Sequence, residues 1–409
     1  MKILQVCPDF PPWALGGAPQ TFRLLAESWT QGGHEVTVLA SRPAARRALG
    51  IPGAAYRVLP LELRDVPTSL HETAYFAPLT RPAREELRRF LLEQAPKFDA
   101  IFVQGLLETL PREFLRGFRP ANPERLVSLQ YGVASADGKR LLGPAARLAY
   151  RTWGRTIQSR LRRVVVFSAE TEREWREYFG SGRTTDVVRM PLGIDAAAFS
   201  KEWTEFQSGT DRLARWRADR ALPEHYLFAV GRQDPAKGFD TAIQAFGRLA
   251  AELPGWGLVL AGDRTPFSSE LARLALDAGC ADRVQIGDRV TEWERMALLS
   301  GCERFLIPSR KEGYGLNAVL ARVLGKSSIA TRTGAHEEIL GHDPRFELVP
   351  PDDPVAFAEG IRRSLRSPAA PMALDRRALD EYDVTRLADR LLALLPAQGG
   401  TSGRAADQT

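Results

Sequence analysis

Short apolar runs alternate with helix-length amphipathic segments along almost the whole chain, and this alternation constrains the fold more than any other feature. A first series of runs has the character of buried strands at residues 2–6, 35–40, 56–61, 99–104, 125–130 and 163–168. A second series follows at residues 226–231, 257–262, 283–288, 304–309, 327–332 and 346–350. Continuous Val, Ile and Leu runs separated by helices are typical of parallel sheets covered on both faces. The sequence therefore predicts an α/β protein with two doubly wound parallel sheets.

The break between the two series defines the expected domains. Proline and glycine interrupt the pattern near residue 190, so we expect one Rossmann-like domain over residues 1–190 and a second over residues 191–379. A helix at about 380–395 is expected to pack back on the first domain, and the tail 396–409 is expected to be disordered. Ligands of open parallel sheets bind beyond the carboxyl ends of the strands. Two facing sheets therefore predict a site in the cleft between the domains.

Composition is that of a globular protein. Hydrophobic residues make up 44% and charged residues 26%, and no apolar run approaches the roughly 18–20 residues that cross a bilayer. The first residues have the character of a buried strand rather than of a secretory signal. The three cysteines lack metal-ligand spacing, so we expect free thiols and a cytoplasmic location.

Positive charge is concentrated in the first half of the chain. The net charge is +6, residues 201–409 are slightly acidic, and residues 139–163 hold eight basic residues and no acidic one. This segment is either an interfacial element that holds the protein on an anionic inner membrane face, or a solvated helix whose apolar side packs on the sheet. Nucleic-acid binding would use the same arginines but would leave the loops at the strand ends unexplained, so we expect none.

The segment "GRQDPAKG" (231–238) is a candidate anion site. It directly follows a predicted strand, so Arg232 and Lys237 emerge at the end of that strand, ahead of a helix that begins near Phe239. Two cations beside a helix N-terminus favour a diphosphate, because the helix dipole and the side-chain charges act together. The alternative is a pair of solvated surface charges.

Two glycine-containing loops also follow predicted strands. In "PSRKEGYGLN", Gly313 and Gly315 permit close backbone approach, and Glu312 can accept hydrogen bonds from sugar hydroxyls or can simply cap a helix. Gly16 and Gly17 stand in the loop after the first strand, where they suit either a ligand contact or a tight turn. That loop lacks the GxGxxG pattern, which disfavours a dinucleotide-dependent oxidoreductase.

The order of these loops resembles glycosyltransferase family 4, the group 1 glycosyltransferases. The resemblance covers about residues 1–395, and it is carried by the "PP…GG" loop, "GHEVTVL", "MPLGIDAAAF", "VGRQDPAKGFDTAIQAF", "LVLAGD", "PSRKEGYGLN" and "GAHEEIL". It implies a GT-B fold, in which two Rossmann-like domains face a cleft. It also implies a nucleotide-sugar donor and retaining transfer to a hydroxyl acceptor, with neither metal nor cofactor. The donor can carry UDP, GDP or another nucleotide, and the acceptor can be a glycan, a lipid-linked saccharide or a small-molecule glycoside.

The resemblance also implies roles for individual residues. Arg232 and Lys237 would stabilise the negative charge on the departing nucleotide, and Glu312 would bind hydroxyls of the donor sugar. Arg289 and Val290 would line the pocket for the base. The other donor-binding positions implied in this way are Gly16, Gly17, Gly231, Gly313, Tyr314, Gly315, Leu316 and Leu320.

Three positions depart from the family pattern. Leu320 stands where a second glutamate usually accepts hydrogen bonds from the ribose, and its loss costs about 1–3 kcal/mol unless another group takes over. On the acceptor side, Gln104 and Gln130 replace histidines. Glutamine cannot act as a general base, but its amide can position a hydroxyl, and none of the five histidines is an evident replacement. The alternative is therefore a catalytically inactive nucleotide-sugar binder or partner subunit, although the retained cations favour an active enzyme.

Overall fold

The computed structural model describes residues 1–14, 17–43, 54–65, 77–106, 108–132, 152, 156, 160–179, 185–341 and 343–396. Within these residues the chain forms two parallel sheets with helices on their faces, so the expected α/β class with two Rossmann-like units is confirmed. Most of the basic segment 139–163, and the tail from residue 397 onward, lie outside the described residues.

The first sheet is built from seven strands. They are β1 (Lys2–Cys7), β2 (Glu35–Pro43), β3 (Arg57–Leu63), β4 (Ala100–Gln104), β5 (Leu126–Gln130), β6 (Arg163–Val166) and β7 (Asp186–Arg189). Within the described part of the chain they run parallel in the order β3-β2-β1-β4-β5-β6-β7. The helices of this half are α1 (Gly17–Gln31), α2 (Arg81–Glu93), α3 (Thr109–Gly117) and α4 (Ala169–Phe179).

The strand β7 is one that the sequence pattern did not predict. The sequence pattern placed the break between the domains near residue 190, and this strand ends just before it, at Arg189. The side chains of β7 are only partly buried because the strand lies at the edge of the sheet. An edge strand of four residues carries no continuous apolar run, so the pattern could not indicate it.

The second sheet has the same architecture. Its strands are β8 (His225–Val230), β9 (Trp256–Ala261), β10 (Val284–Gly287), β11 (Arg304–Ile307), β12 (Ser328–Thr331) and β13 (Phe346–Val349), and the order is β10-β9-β8-β11-β12-β13. Its helices are α5 (Ala196–Ser208), α6 (Thr210–Asp219), α7 (Phe239–Leu249), α8 (Phe267–Asp277), α9 (Glu292–Gly301), α10 (Leu316–Val323), α11 (His336–Leu340) and α12 (Pro354–Leu365). The strand order reverses between β1 and β4 in one sheet and between β8 and β11 in the other. These are the positions at which such sheets bind ligands.

The end of the chain contacts the first half again. Two helices follow the second sheet, α13 (Arg376–Glu381) and α14 (Val384–Ala393). Val384 N–H donates to the carbonyl of Ile194 at 2.8 Å, and the Trp29 indole of α1 donates to the carbonyl of Ala388 at 3.2 Å. Gly193 packs directly on the backbone of Val384, where a side chain would collide. The chain therefore crosses between the two units at two adjacent places.

The three cysteines are buried free thiols, as the sequence indicated. Among the helices in the described ranges, none has the length and apolar character that crossing a bilayer requires.

We predict that Leu391→Ala, in α14, lowers the free energy of unfolding by about 2–5 kcal/mol. The side chain is fully buried in the same apolar cluster as Trp29, and truncation leaves a cavity. Leu92→Ala is the matched control, because Leu92 is 71% exposed and should change stability by less than about 0.5 kcal/mol. Urea denaturation of both variants provides the measurement. Equal effects in the two variants would mean that α14 adds no packing to the fold.

Candidate active site

Loops from the two sheets meet face to face at the carboxyl ends of the central strands. A Cβ built on Gly17 would lie 2.7 Å from Leu316 Cδ1, and one built on Gly313 would lie 3.0 Å from the carbonyl oxygen of Tyr131. The backbone N–H of Gly334 donates to the carboxylate of Glu170 across the same cleft. Glycine at these positions therefore allows the two halves to approach closely.

Two buried side chains of the loop at residues 231–238 fix its conformation through hydrogen bonds. Gln233 donates through Nε2 to the carbonyls of Gly262 at 3.0 Å and Gly287 at 2.7 Å. Asp234 caps the 3₁₀ turn Pro235–Lys237 by accepting from the N–H groups of Ala236 and Lys237, at 3.0 and 3.2 Å. Arg232 and Lys237 therefore lie on a loop whose backbone is held in place by these hydrogen bonds.

Arg232 and Lys237 both belong to the loop at residues 231–238. The Arg232 guanidinium is about half exposed and donates through Nε to Asp234. Lys237 Nζ lies 2.7 Å from Oε1 of Glu312 on the neighbouring loop. The structure therefore places Lys237 and Glu312 in contact, whereas the Arg232 guanidinium is paired with Asp234 on its own loop.

Glu312 is an ionised carboxylate in a largely buried position. Burial would raise its pKa, but the positive charge of Lys237 and the hydrogen bonds from Lys237 and Ser309 together hold the pKa below its ordinary value. Ser309 Oγ donates to the same Oε1 at 2.7 Å. The second carboxylate oxygen, Oε2, remains as an acceptor for a ligand.

Arg310 anchors the loop that carries Glu312, and sequence reasoning did not find it. It donates to both carboxylate oxygens of Asp240 at 2.7 Å, to Asp352 at 2.6 Å and to the carbonyl of Pro235 at 2.8 Å. Such charge-assisted, bidentate pairs are strong and geometrically specific. Arg310 therefore ties the Glu312 loop to the start of α7 and to the turn that carries Lys237.

His336 is the histidine that the structure brings to the site. It is fully buried at the start of α11, with Nδ1 2.8 Å from the carbonyl of Thr331, and its ring edge packs against Gly315. Burial lowers the pKa of His336, and the charge of Glu312 opposes that shift. The neutral ring braces the backbone turn at Gly315, whose φ of 113° suits glycine alone.

The acceptor-side residues lie at the ends of adjacent strands. Gln104 is 5% exposed, and its Nε2 donates to Asp9 Oδ1 at 3.1 Å. Gln130 is also buried, and its Nε2 donates to Oγ of Ser128, two residues earlier in the same strand, at 2.7 Å. Asp9 did not emerge from the sequence. Burial, followed by the negative charge of Glu108, raises the pKa of Asp9 to about 7.

The other proposed donor contacts fall in three environments. Gly16 lies outside the described residues. Arg289 is exposed and Val290 partly buried in the loop after β10. Leu320 is 5% exposed and belongs to the hydrophobic core. The ring of Tyr314 belongs to the same core, and its burial raises the pKa of the phenol well above the ordinary value.

The chain's fold is that of the GT-B glycosyltransferases. One family model, the glycosyl transferase 4-like domain, matches residues 16–193, and a second, the glycosyl transferases group 1, matches residues 212–381. The chain belongs to this glycosyltransferase family, which confirms the resemblance seen in its motifs.

Curated relatives are similar at low identity. The D-inositol 3-phosphate glycosyltransferase of Acidothermus cellulolyticus is 27% identical over 257 residues, which cover 58% of this chain but only 51% of that protein. The lipopolysaccharide core biosynthesis mannosyltransferase LpsB of Rhizobium meliloti is 26% identical, with 49% of this chain and 61% of that protein covered. The glycogen synthase of Mycobacterium tuberculosis is 24% identical over 400 residues, with 92% and 89% covered.

Solved structures share the fold over nearly the whole chain. Sucrose-phosphate synthase from Thermosynechococcus elongatus superimposes with a TM-score of 0.72 at 19% identity, covering 96% of this chain and 98% of that one. Anabaena HepE, solved with UDP and glucose, gives a TM-score of 0.63 at 16% identity, with 96% and 97% covered. These likenesses establish the GT-B fold.

We predict that Asp9→Asn reduces the pH dependence of stability between about pH 4 and 7. The folded-state pKa, about 7, lies above the unfolded value of about 3.9, so the folded protein holds a proton that the unfolded chain has lost. The contribution of Asp9 to stability is therefore present below about pH 4 and is lost as the pH rises through about 7.

Urea denaturation at pH 5 and pH 8 measures this effect. The variant should gain stability relative to the wild type as the pH rises. The neighbouring Cys7 and Tyr131 have raised pKa values and stay neutral over this range, and Glu108 is common to both proteins. A stability difference that does not change with pH would contradict the assignment.

Proposed function

We propose that the protein transfers a sugar from a nucleotide-diphosphate sugar to a hydroxyl acceptor, with retention of the anomeric configuration. The observation that carries this proposal is the contact of Lys237 with Glu312 in the cleft between two parallel sheets, with Arg232 on the same loop as Lys237. The donor would lie along the second unit, and the acceptor would enter from the first. The sugar and the base of the donor are not specified by these contacts. Sugars of UDP, GDP and other nucleotides are therefore the donors to be tested.

Positive charge on the loop after β8 would help the sugar–phosphate bond to break by stabilising the leaving group. As the bond between the anomeric carbon and the phosphate oxygen opens, negative charge develops on the departing diphosphate. Lys237 Nζ has three N–H groups, of which Glu312 occupies one, so the others can donate to phosphate oxygens. A preorganised donor of this kind typically contributes about 10²–10³-fold in rate. With these charges in place the proposed reaction uses neither a metal ion nor another cofactor.

Glu312 and the glycine loop would hold the sugar. The carboxylate is ionised, and one of its oxygens is fixed by Lys237 and Ser309, so the other can accept from a sugar hydroxyl. The leaving phosphate would take the proton of the acceptor hydroxyl. A histidine base is therefore not required, and Gln130 is compatible with turnover. An acceptor linked to lipid would agree with contact between residues 139–163 and the inner membrane face.

A nucleotide-sugar binder without catalysis is the second candidate function. The packing of Leu320 in the hydrophobic core favours it, because this position offers no hydrogen bond to a ribose. The ion pair between Lys237 and Glu312 favours the enzyme, because binding alone does not need a cation aimed at a leaving group. The two candidates differ in turnover and agree in nucleotide binding.

We predict that Lys237→Ala and Arg232→Ala each lower turnover about 10²–10³-fold, because each removes positive charge from the leaving diphosphate. Release of nucleotide diphosphate from UDP-, GDP-, ADP- and TDP-sugars is the measurement. Arg248→Ala is the matched control, since it removes an exposed arginine from the last turn of α7 and should leave turnover unchanged. Circular dichroism checks that the fold is intact. Near-normal turnover in both cleft variants would refute the mechanism.

We predict that Leu320→Glu tightens the binding of nucleoside diphosphates about tenfold while lowering the melting temperature of the ligand-free protein. A carboxylate at this buried position is costly when alone, but it can accept hydrogen bonds from a ribose. Calorimetric titration with UDP, GDP, ADP and TDP measures the affinity, and Leu320→Gln separates the effect of polarity from that of charge. Unchanged affinity in a folded variant would place the ribose elsewhere.

A further inference from the structure

Asp9 and Gln104 form a polar pair that the proposed donor chemistry does not use. Asp9 follows β1 by two residues, and Gln104 is the last residue of β4. These two strands are neighbours, with Val6 paired to Val103, so the two side chains emerge at the point where the strand order reverses. Gln104 Nε2 donates to Asp9 Oδ1 at 3.1 Å.

The Gln104 amide leaves one polar atom without a partner. Its Oε1 is buried and makes no hydrogen bond, although the side chain as a whole is 95% removed from solvent and is directed at Asp9. An unpaired buried acceptor is unfavourable, so a group that donates an O–H or N–H there would be bound. This unsatisfied oxygen is the observation that points to a ligand.

The pair lies on the same cleft as the Glu312 loop. Tyr131 connects the two, because its carbonyl oxygen would lie 3.0 Å from a Cβ built on Gly313, and the charge of Asp9 acts on its phenol. Asp9 itself is partly accessible. A ligand held by Asp9 and Gln104 would therefore sit opposite the loop proposed to carry the donor sugar.

The charges around the pair select the chemistry of such a ligand. The charged group that acts most strongly on Asp9 is another carboxylate, Glu108, at the start of α3. Cys7 and Tyr131, which also face Asp9, are neutral because burial raises their pKa values. Carboxylate and amide oxygens accept hydrogen bonds from hydroxyl and ammonium groups, whereas an ionised phosphate group carries acceptor oxygens and offers the unpaired Gln104 Oε1 no hydrogen.

We propose that Asp9 and Gln104 form the acceptor subsite, and that the sugar or polyol unit entering it bears hydroxyl or amino groups and no phosphate. The inference rests on the proposed function, since it supplies the acceptor of that reaction. It separates this chain from the D-inositol 3-phosphate glycosyltransferase of Acidothermus cellulolyticus, whose name specifies an acceptor with a phosphate group.

Matched probes test the acceptor class. The wild-type protein is supplied with each nucleotide sugar that it hydrolyses, and the release of nucleotide diphosphate is measured with two sets of acceptors. One set is glucose, glucosamine and glucose 6-phosphate, and the other is myo-inositol and inositol 3-phosphate. Glucose, glucosamine or myo-inositol should accelerate release at least tenfold more than its phosphorylated counterpart. Equal or better use of the phosphorylated probes, or acceleration by none of the unphosphorylated ones, overturns the proposal.

Variants then test the residues. Asp9→Asn and Gln104→Met should each raise the KM for the accepted probe about tenfold or more, while the Kd of the nucleotide diphosphate, measured by calorimetry, stays within twofold. Asp99→Asn is the control, because Asp99 is an exposed carboxylate at the opposite end of β4 and should change neither value. An unchanged acceptor KM, or an equal loss of nucleotide affinity, refutes the subsite.

Failure of the subsite and failure of the proposed function are distinguishable. Hydrolysis of the nucleotide sugar by the wild-type protein, with water as acceptor, depends on the donor site alone. If no nucleotide diphosphate is released from any nucleotide sugar, either with water or with any probe as acceptor, the proposed function is wrong, and the acceptor subsite is rejected with it. If hydrolysis occurs but the probes or variants behave against expectation, only the subsite is wrong.

Discussion

The ion pair between Lys237 and Glu312 is the interaction on which the site depends. It joins the turn after β8 to the loop after β11, two strands that are neighbours in the second sheet. Each partner sets the state of the other: Lys237 helps to keep a largely buried carboxylate ionised, and Glu312 holds the ammonium group in place. A pair of this kind is costly to break from one side only, because the remaining charge is buried without a partner. Arg310 and Ser309 restrict the loop further, so the geometry exists before any ligand arrives.

The sequence was sufficient where the signal is local. Continuous apolar runs located most strands to within a few residues, and the cations of the "GRQDPAKG" turn were found because they directly follow a strand. Glu312 was found in the same way, through its glycine-rich loop. In a parallel sheet every strand end points to one edge, so residues far apart in the chain can be assigned to one cleft without coordinates.

The residues that sequence reasoning missed acquire their properties from distant neighbours. The raised pKa of Asp9 comes from burial and from Glu108, about a hundred positions away. Arg310 matters because Asp240 and Asp352 lie in other loops, and His336 matters because its ring packs against Gly315. In each case the residue type is common and its surroundings are decisive. No periodicity or spacing in one chain encodes such surroundings.

The two sides of the cleft carry opposite charge, and this asymmetry connects the proposed donor and acceptor chemistry. Arg232 and Lys237 stand on the second unit, whereas Asp9 and Glu108 stand on the first. A nucleotide diphosphate would be attracted to the cations, so charge would help to orient the proposed donor within the cleft. When the sugar–phosphate bond opens, positive charge develops at the anomeric carbon and negative charge develops on the phosphate. In the proposed reaction, carboxylates on one side of the cleft and cations on the other would stabilise that separation in the direction in which it forms. The carboxylates would therefore assist the same proposed step as the cations, although they would bind a different substrate.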